Sequence, residues 1–211
     1  MAAFVVAVTG GIASGKSAVC ARFERAGAHV ADADAIAHAI VAPGQPALAE
    51  IVARFGAGIL RADGALDRAR LRELVFADAG ARADLEALTH PRIRAELERL
   101  CLAAPGDYAI ADIPLLAESD RPPGAAWPWL RRILVVDTSE ALQRARLLAH
   151  DGIDEALAAR MIAAQATRRA RLALASDVLI NDARIEALDA PVRRLDAWFR
   201  RLAAPGGRAP D

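Results

Sequence analysis

Near the start of the chain, Gly10-Gly11-Ile12-Ala13-Ser14-Gly15-Lys16-Ser17 fits the spacing G-x-x-x-x-G-K-[ST]. Residues of these types at this spacing can hold a polyphosphate. Glycines let backbone N–H groups turn inward and approach phosphate oxygens closely. The lysine reaches the β- and γ-phosphates, and the following hydroxyl can ligate Mg²⁺. A helix that begins there points its positive end at the same anion. The candidates for nucleotide contact are Gly11, Ile12, Ala13, Ser14, Gly15, Lys16, Ser17 and Ala18, with Lys16 also catalytic and Ser17 at the metal. Lys16 is the only lysine among 27 lysine and arginine residues. A compact ammonium and a planar guanidinium are not interchangeable at a triphosphate.

Such a loop works only between a strand and a helix. Phe4-Val5-Val6-Ala7-Val8 is the short apolar, β-branched run of a buried parallel strand. Residues Ala18 to Arg25 read as a helix closed by Gly27. A glycine-rich turn with a chance lysine would need neither neighbour.

Other charged residues follow the predicted strands. His29-Val30-Ala31-Asp32 reads as a second strand, and alternation puts Asp32 and Asp34 on one side if the strand persists. In open α/β sheets ligands bind beyond the carboxyl ends of strands. Asp32 and Asp34 could orient an acceptor hydroxyl and take its proton, or hold Mg²⁺ through water, or serve as helix caps, Asp34 for the helix that follows. Residues 108–113 form a third strand whose Asp112 could reach Mg²⁺ through water, or bond local backbone. His90, Arg92 and Arg94 are candidates for an acidic substrate, or a cap and a solvated helix face. Arg144, Arg146, Arg160, Arg168, Arg169 and Arg171 could offset charge on a transferring phosphoryl group, or pair with neighbouring acids.

Between these lies a mostly helical chain. Helices are predicted over 47–55, 68–77 (capped by Asp67), 81–88, and anew from Pro91. A loop is predicted from Ser119 to Trp129, with its tryptophans packing it down. Strands follow at 132–137 and 178–181. Between them, helices run from Glu140 to His150 and from Asp154 to about Ala175, joined at Asp151-Gly152. A closing helix covers 185–202. In 211 residues, 55% hydrophobic, one domain with a lid or insertion is expected. Zero net charge suggests no general nucleic-acid or membrane surface. Cys20 and Cys101 make no disulfide framework and read as buried apolar residues. Without a signal peptide pattern or a bilayer-length apolar run, the expectation is a soluble cytoplasmic protein, its oligomeric state open.

In order along nearly the whole chain, these segments resemble the dephospho-CoA kinase family. The resemblance is carried by Thr9 through Ser17, Asp32-Ala33-Asp34, His90-Pro91-Arg92-Ile93-Arg94, Ile113-Pro114-Leu115-Leu116-Ala117-Glu118 and Val135-Val136-Asp137. It continues through Gln143-Arg144-Ala145-Arg146, Gln165-Ala166-Thr167-Arg168, Arg171 to Asp177, and Asn181. It implies transfer of the ATP γ-phosphoryl group to the ribose 3′-hydroxyl of dephospho-CoA with Mg²⁺, giving coenzyme A. It also implies an α/β, three-layer P-loop kinase fold with a five-stranded, mostly parallel sheet. The core would be 1–42, 105–142 and 176–204, with a helical CoA-side insertion over ~43–104, a helical lid over ~143–175 and a loose tail 205–211. By position, Asp34 would act on the 3′-hydroxyl, His90 and Arg94 would bind the acceptor, and Arg146 would be the catalytic lid arginine. Departures are Ala13, Ala117, His150 and Ser176, where the family usually has glycine, an aromatic, arginine and an acid. Ala13 should therefore avoid a glycine-only backbone conformation. A different small-molecule kinase or a nucleotide-binding module shares the loop. No Asn-Lys-x-Asp guanine motif is present.

Overall fold

The computed structural model describes residues 4–118, 122–150 and 152–206. Residues 207–211 of the predicted tail, 119–121 of the predicted loop and Asp151 of the Asp-Gly joint lie outside the described residues.

The central strand is β1, Val5–Gly10, and all six of its residues are buried, as a strand covered on both faces requires. It runs parallel to β3, Ala109–Asp112, with Val8 beside Asp112. On its other side it runs parallel to β4, Arg132–Asp137, with Gly10 beside Val136. Strand β5, Asp177–Ile180, pairs in parallel with β4, and β2, His29–Asp32, lies beyond β3. The order β2-β3-β1-β4-β5 is the predicted α/β sheet of five strands. The helices in chain order are α1 Lys16–Arg25, α2 Ala33–Ala39, α3 Pro46–Phe55, α4 Arg68–Ala77, α5 Ala79–Ala103 and short α6 Pro123–Ala126. They continue with α7 Glu140–Leu148, α8 Glu155–Ala163, α9 Arg168–Ala173 and α10 Asp189–Ala203. None is long and apolar enough to cross a membrane, among the described residues.

Contacts divide the chain into two compact units, Met1–Ala31 with Leu100–Asp211, and Asp32–Arg99. In the first, Val6, Val8, Ile110, Leu134 and Val136 of the sheet pack on Val19 and Phe23 of α1 and Val192 and Phe199 of α10. Phe23, Tyr108 and Phe199 form an aromatic trio with ring centroids 5.6, 6.0 and 6.5 Å apart. The Tyr108 hydroxyl donates to Asp196 at 2.7 Å, and burial, with that carboxylate, holds the phenol well above its usual range. Both cysteines are buried, as expected, and burial pushes the Cys101 thiol up to about 12. Trp127 is buried edge-on against Trp129, as the loop reading expected. The second unit has its own core of Val41, Leu48, Ile51, Ile59, Leu66 and Leu71.

Three local expectations are corrected. Strand β2 ends at Asp32 and α2 begins at Ala33, so Asp32 and Asp34 do not alternate along a strand. Asp32 is the cap, accepting the N–H groups of Asp34 at 2.7 Å and Ala35 at 3.2 Å. The predicted break before Pro91 is absent, because α5 runs through it. Proline withdraws the backbone donor that would serve the Ala87 carbonyl; on the same turns Arg92 donates to the Leu88 carbonyl at 2.6 Å and Thr89 to that of Leu85 at 2.8 Å. The predicted helix 154–175 is two helices, because the Thr167 hydroxyl accepts the Ala170 N–H at 3.1 Å and starts α9 afresh.

Phe199 is fully buried in the aromatic trio. Phe199→Ala is expected to cost about 3–5 kcal/mol in unfolding free energy, read by urea denaturation.

Candidate active site

The loop between β1 and α1, residues 11–15, is held by its carbonyls. The Gly11 carbonyl accepts the Ser14 N–H at 3.0 Å. That of Ile12 accepts Gln143 Nε2 at 2.6 Å, and that of Ala13 accepts Arg146 Nη1 at 3.0 Å. The Ser14 carbonyl accepts Asn181 Nδ2 at 2.7 Å and Arg146 Nη1 at 3.3 Å. The Gly15 carbonyl accepts the N–H groups of Ala18 and Val19 as α1 begins. With every carbonyl engaged, the amides are what remains. The Ala13 and Gly15 N–H groups meet no acceptor among the described residues, and the first-turn N–H groups of Lys16 and Ser17 have none within the helix. Four donors at the positive end of α1 form an anion seat. Two loop amides are engaged: that of Ile12 donates to Gln165 Oε1 at 2.7 Å, and that of Ser14 to the Gly11 carbonyl.

Glycine is required here for two separate reasons. A Cβ on Gly11 would lie 2.4 Å from Gln143 Nε2 and 2.7 Å from Arg171 Nη2, so either side chain would have to give up its place against the loop. Gly15 has φ +90°, and a Cβ there would lie 2.2 Å from Asn181 Nδ2. Ala13 does not avoid the left-handed region: its φ is +55°. It is the one non-glycine residue with positive φ among the described residues. L-residues reach that well at a cost of about 1–2 kcal/mol.

Lys16 pairs with Asp112, whose other oxygen accepts the Cys20 thiol at 3.4 Å. The register of β1 with β3 explains the pair, since Asp112 ends the strand beside the one that leads into the loop. Ser17 is exposed, and its hydroxyl has no partner among the described residues. Arg146, expected at the transferring phosphoryl group, is half-buried and donates only to the carbonyls of Ala13, Ser14 and Asn181. Arg168 donates to Asp137 through two nitrogens at 2.6 and 2.9 Å. A cleft of about 640 Å³ beside α7–α9 is lined by Arg144, Arg168, Arg171 and Gln165 among others.

The acceptor-side candidates lie in the second unit. Asp34 is exposed in the first turn of α2, and its carboxylate has no partner among the described residues. His90 and Arg94 sit one turn apart on α5, on the same helix face. Arg92 is committed elsewhere, at 2.6 Å from Glu50 as well as on the Leu88 carbonyl.

The sequence gives Gln143, Gln165 and Asn181 no functional role, and the predicted strand 178–181 includes Asn181, whereas β5 ends at Ile180. Gln143, buried on an otherwise amphipathic α7, is the type of signal that could have marked it. Asp182 was missed outright. The Thr138 hydroxyl at 2.8 Å and the Ser139 N–H at 3.2 Å, with the charges of Arg168 and Arg146, hold its carboxyl below the usual range. A carboxylate lowered on folding adds stability above the unfolded value, near 3.9, that is lost as pH falls through the folded one. Asp182→Asn is therefore expected to lower the urea midpoint at pH 7, with the gap to wild type closing as pH falls below the unfolded value. Gly15→Ala is expected to weaken ATP binding at least about tenfold by titration calorimetry, with the circular dichroism spectrum unchanged.

The family model described as dephospho-CoA kinase matches residues 4–187. A dephospho-CoA kinase of Xanthomonas oryzae pv. oryzae is 56% identical over 200 residues, covering 95% of this chain and 98% of that one. Among solved structures, TT1252 from Thermus thermophilus superposes with TM-score 0.76 at 27% identity, covering 93% of this chain and 98% of its own. Dephospho-CoA kinase from Campylobacter jejuni superposes with TM-score 0.67 at 26% identity, covering 92% and 96%. With its phosphate-holding loop and five-stranded sheet, the chain belongs to the dephospho-CoA kinase family.

Proposed function

We propose that this chain transfers the γ-phosphoryl group of ATP to the ribose 3′-hydroxyl of dephospho-CoA, giving coenzyme A and ADP. The observation that carries the proposal is the loop 11–15, whose carbonyls are all engaged while the amides of Ala13, Gly15, Lys16 and Ser17 are left for an anion. Phosphoryl transfer asks a protein mainly for positioning and charge stabilisation. The loop amides and Lys16 would hold the β- and γ-phosphates. Asp112 keeps the Lys16 ammonium beside the loop. Arg146, braced on the loop carbonyls, would set the loop's shape and add positive charge.

Asp34 is the group we assign to the acceptor hydroxyl. It is an exposed carboxylate directly after β2 with no partner among the described residues, whereas Asp32 is occupied in capping. The hydroxyl oxygen would form the new P–O bond as the bond to the bridging oxygen of ADP breaks, and Asp34 would receive the proton. His90 and Arg94 would bind acidic groups of the acceptor. Arg94 is half-buried and, unlike Arg92, has no acid beside it among the described residues.

The residues present fit Mg²⁺. The uncommitted Ser17 hydroxyl is a hard oxygen donor at the start of α1, with Asp112 a candidate for contact through water. When bound, the ion would neutralise charge on the transferring phosphates. Neither nucleic acid nor a membrane enters the proposed reaction, and we place it in the cytoplasm.

A coupled ADP-release assay with dephospho-CoA, with and without Mg²⁺, tests the proposal. Lys16→Ala and Asp34→Ala are each expected to lower kcat at least ~10²-fold with folding intact. Near-normal turnover in either variant would remove the role assigned to that residue. Preference for a nucleoside monophosphate over dephospho-CoA would overturn the acceptor.

A further inference from the structure

Three arginines line the cleft beside α7–α9. Arg144 lies 3.0 Å from Glu155, and Arg168 is doubly bonded to Asp137. Arg171 differs from both. It is only 7% exposed, yet it pairs with no carboxylate among the described residues. Its Nη1 donates to the Ala166 carbonyl. Its Nη2 lies against the phosphate loop, 2.7 Å from where a Cβ on Gly11 would stand. A buried guanidinium without a counter-charge is unfavourable unless an anion completes it. The nearest feature built for an anion is the loop that Arg171 touches. Gly11 leaves the space in which the guanidinium sits.

We propose that Arg171 is a phosphate-anchoring cation: its buried guanidinium, held against Gly11, gains its counter-charge when a polyphosphate fills the loop. The anion stabilises the guanidinium, and the guanidinium tightens the anion. Arg171 is thus distinct in role from Arg146: Arg146 donates to three backbone carbonyls around the loop, whereas Arg171 donates to that of Ala166 and lays its other terminal nitrogen against Gly11. The assignment rests on the nucleotide part of the proposed function and not on the identity of the acceptor.

The test uses the full chain with inorganic tripolyphosphate as probe, followed by titration calorimetry and thermal melting, and with ATP in the turnover assay. Arg171→Met is expected to weaken tripolyphosphate binding by about ten- to a hundredfold, as loss of a charge-assisted contact does. It should raise the KM for ATP more than it lowers kcat. Its melting temperature without ligand should equal or exceed that of wild type, because an uncompensated buried charge has gone. Arg171→Lys should recover most of the affinity, and serves as the informative variant if Arg171→Met does not fold. Wild-type tripolyphosphate affinity in Arg171→Met, or in a folded uncharged Arg171→Gln, would overturn the proposal. So would a ligand-free loss of stability that Arg171→Lys does not restore, which marks a purely structural brace. If the wild-type chain turned over no dephospho-CoA, the acceptor reading would fail while the tripolyphosphate result still decided the role of Arg171.

Discussion

A backbone loop can offer its amides to an anion only if its carbonyls find donors elsewhere. Every carbonyl from Gly11 to Gly15 is engaged, and three of the five depend on side chains more than a hundred residues away. Gln143 and Arg146 reach in from α7, and Asn181 from just after β5. Each such bond contributes only about 1 kcal/mol, but leaving a buried carbonyl unpaired costs about 1–3. The loop's shape is therefore a property of the sheet: β5 follows β4 in register, β4 follows β1, and Asn181 arrives under Ser14 as a result.

The same register distributes the charges. Strands β3 and β4 flank β1, so Asp112 and Asp137 finish on either side of the strand that feeds the loop. Asp112 takes Lys16 and Asp137 takes Arg168. These pairs leave the ammonium directed and one lid-side arginine fixed. Arg171 has no third acid among the described residues. A site that must accept several negative charges gains from a cation not already neutralised by the protein.

In the second unit the ordering principle is helix continuity. Had α5 broken at Pro91, His90 and Arg94 would belong to different elements. Because the helix is continuous through Pro91, it places His90 and Arg94 one turn apart. Arg92 is paired with Glu50, whereas Arg94 has no acid beside it among the described residues.

Much of this was legible in the chain itself. The apolar run Val5–Val8, the glycines and lysine after it, and the acids closing the predicted strands depend on local chemistry, and they were enough for the sheet, the loop and the family. Short-range patterns could not tell that Asp32 rather than Asp34 caps α2, or that Thr167 restarts a helix, because strand and helix ends are decided by competition between nearly equal local bonds. Nor could they separate Arg146, Arg168 and Arg171, which look alike in sequence. By itself the sequence determined which segment is built as a candidate phosphate loop, since glycine, lysine and serine act there through their own geometry. Only the tertiary structure decided which distant side chains hold that segment open and which cations pair with a carboxylate, because a partner's identity depends on distance in space rather than on position along the chain.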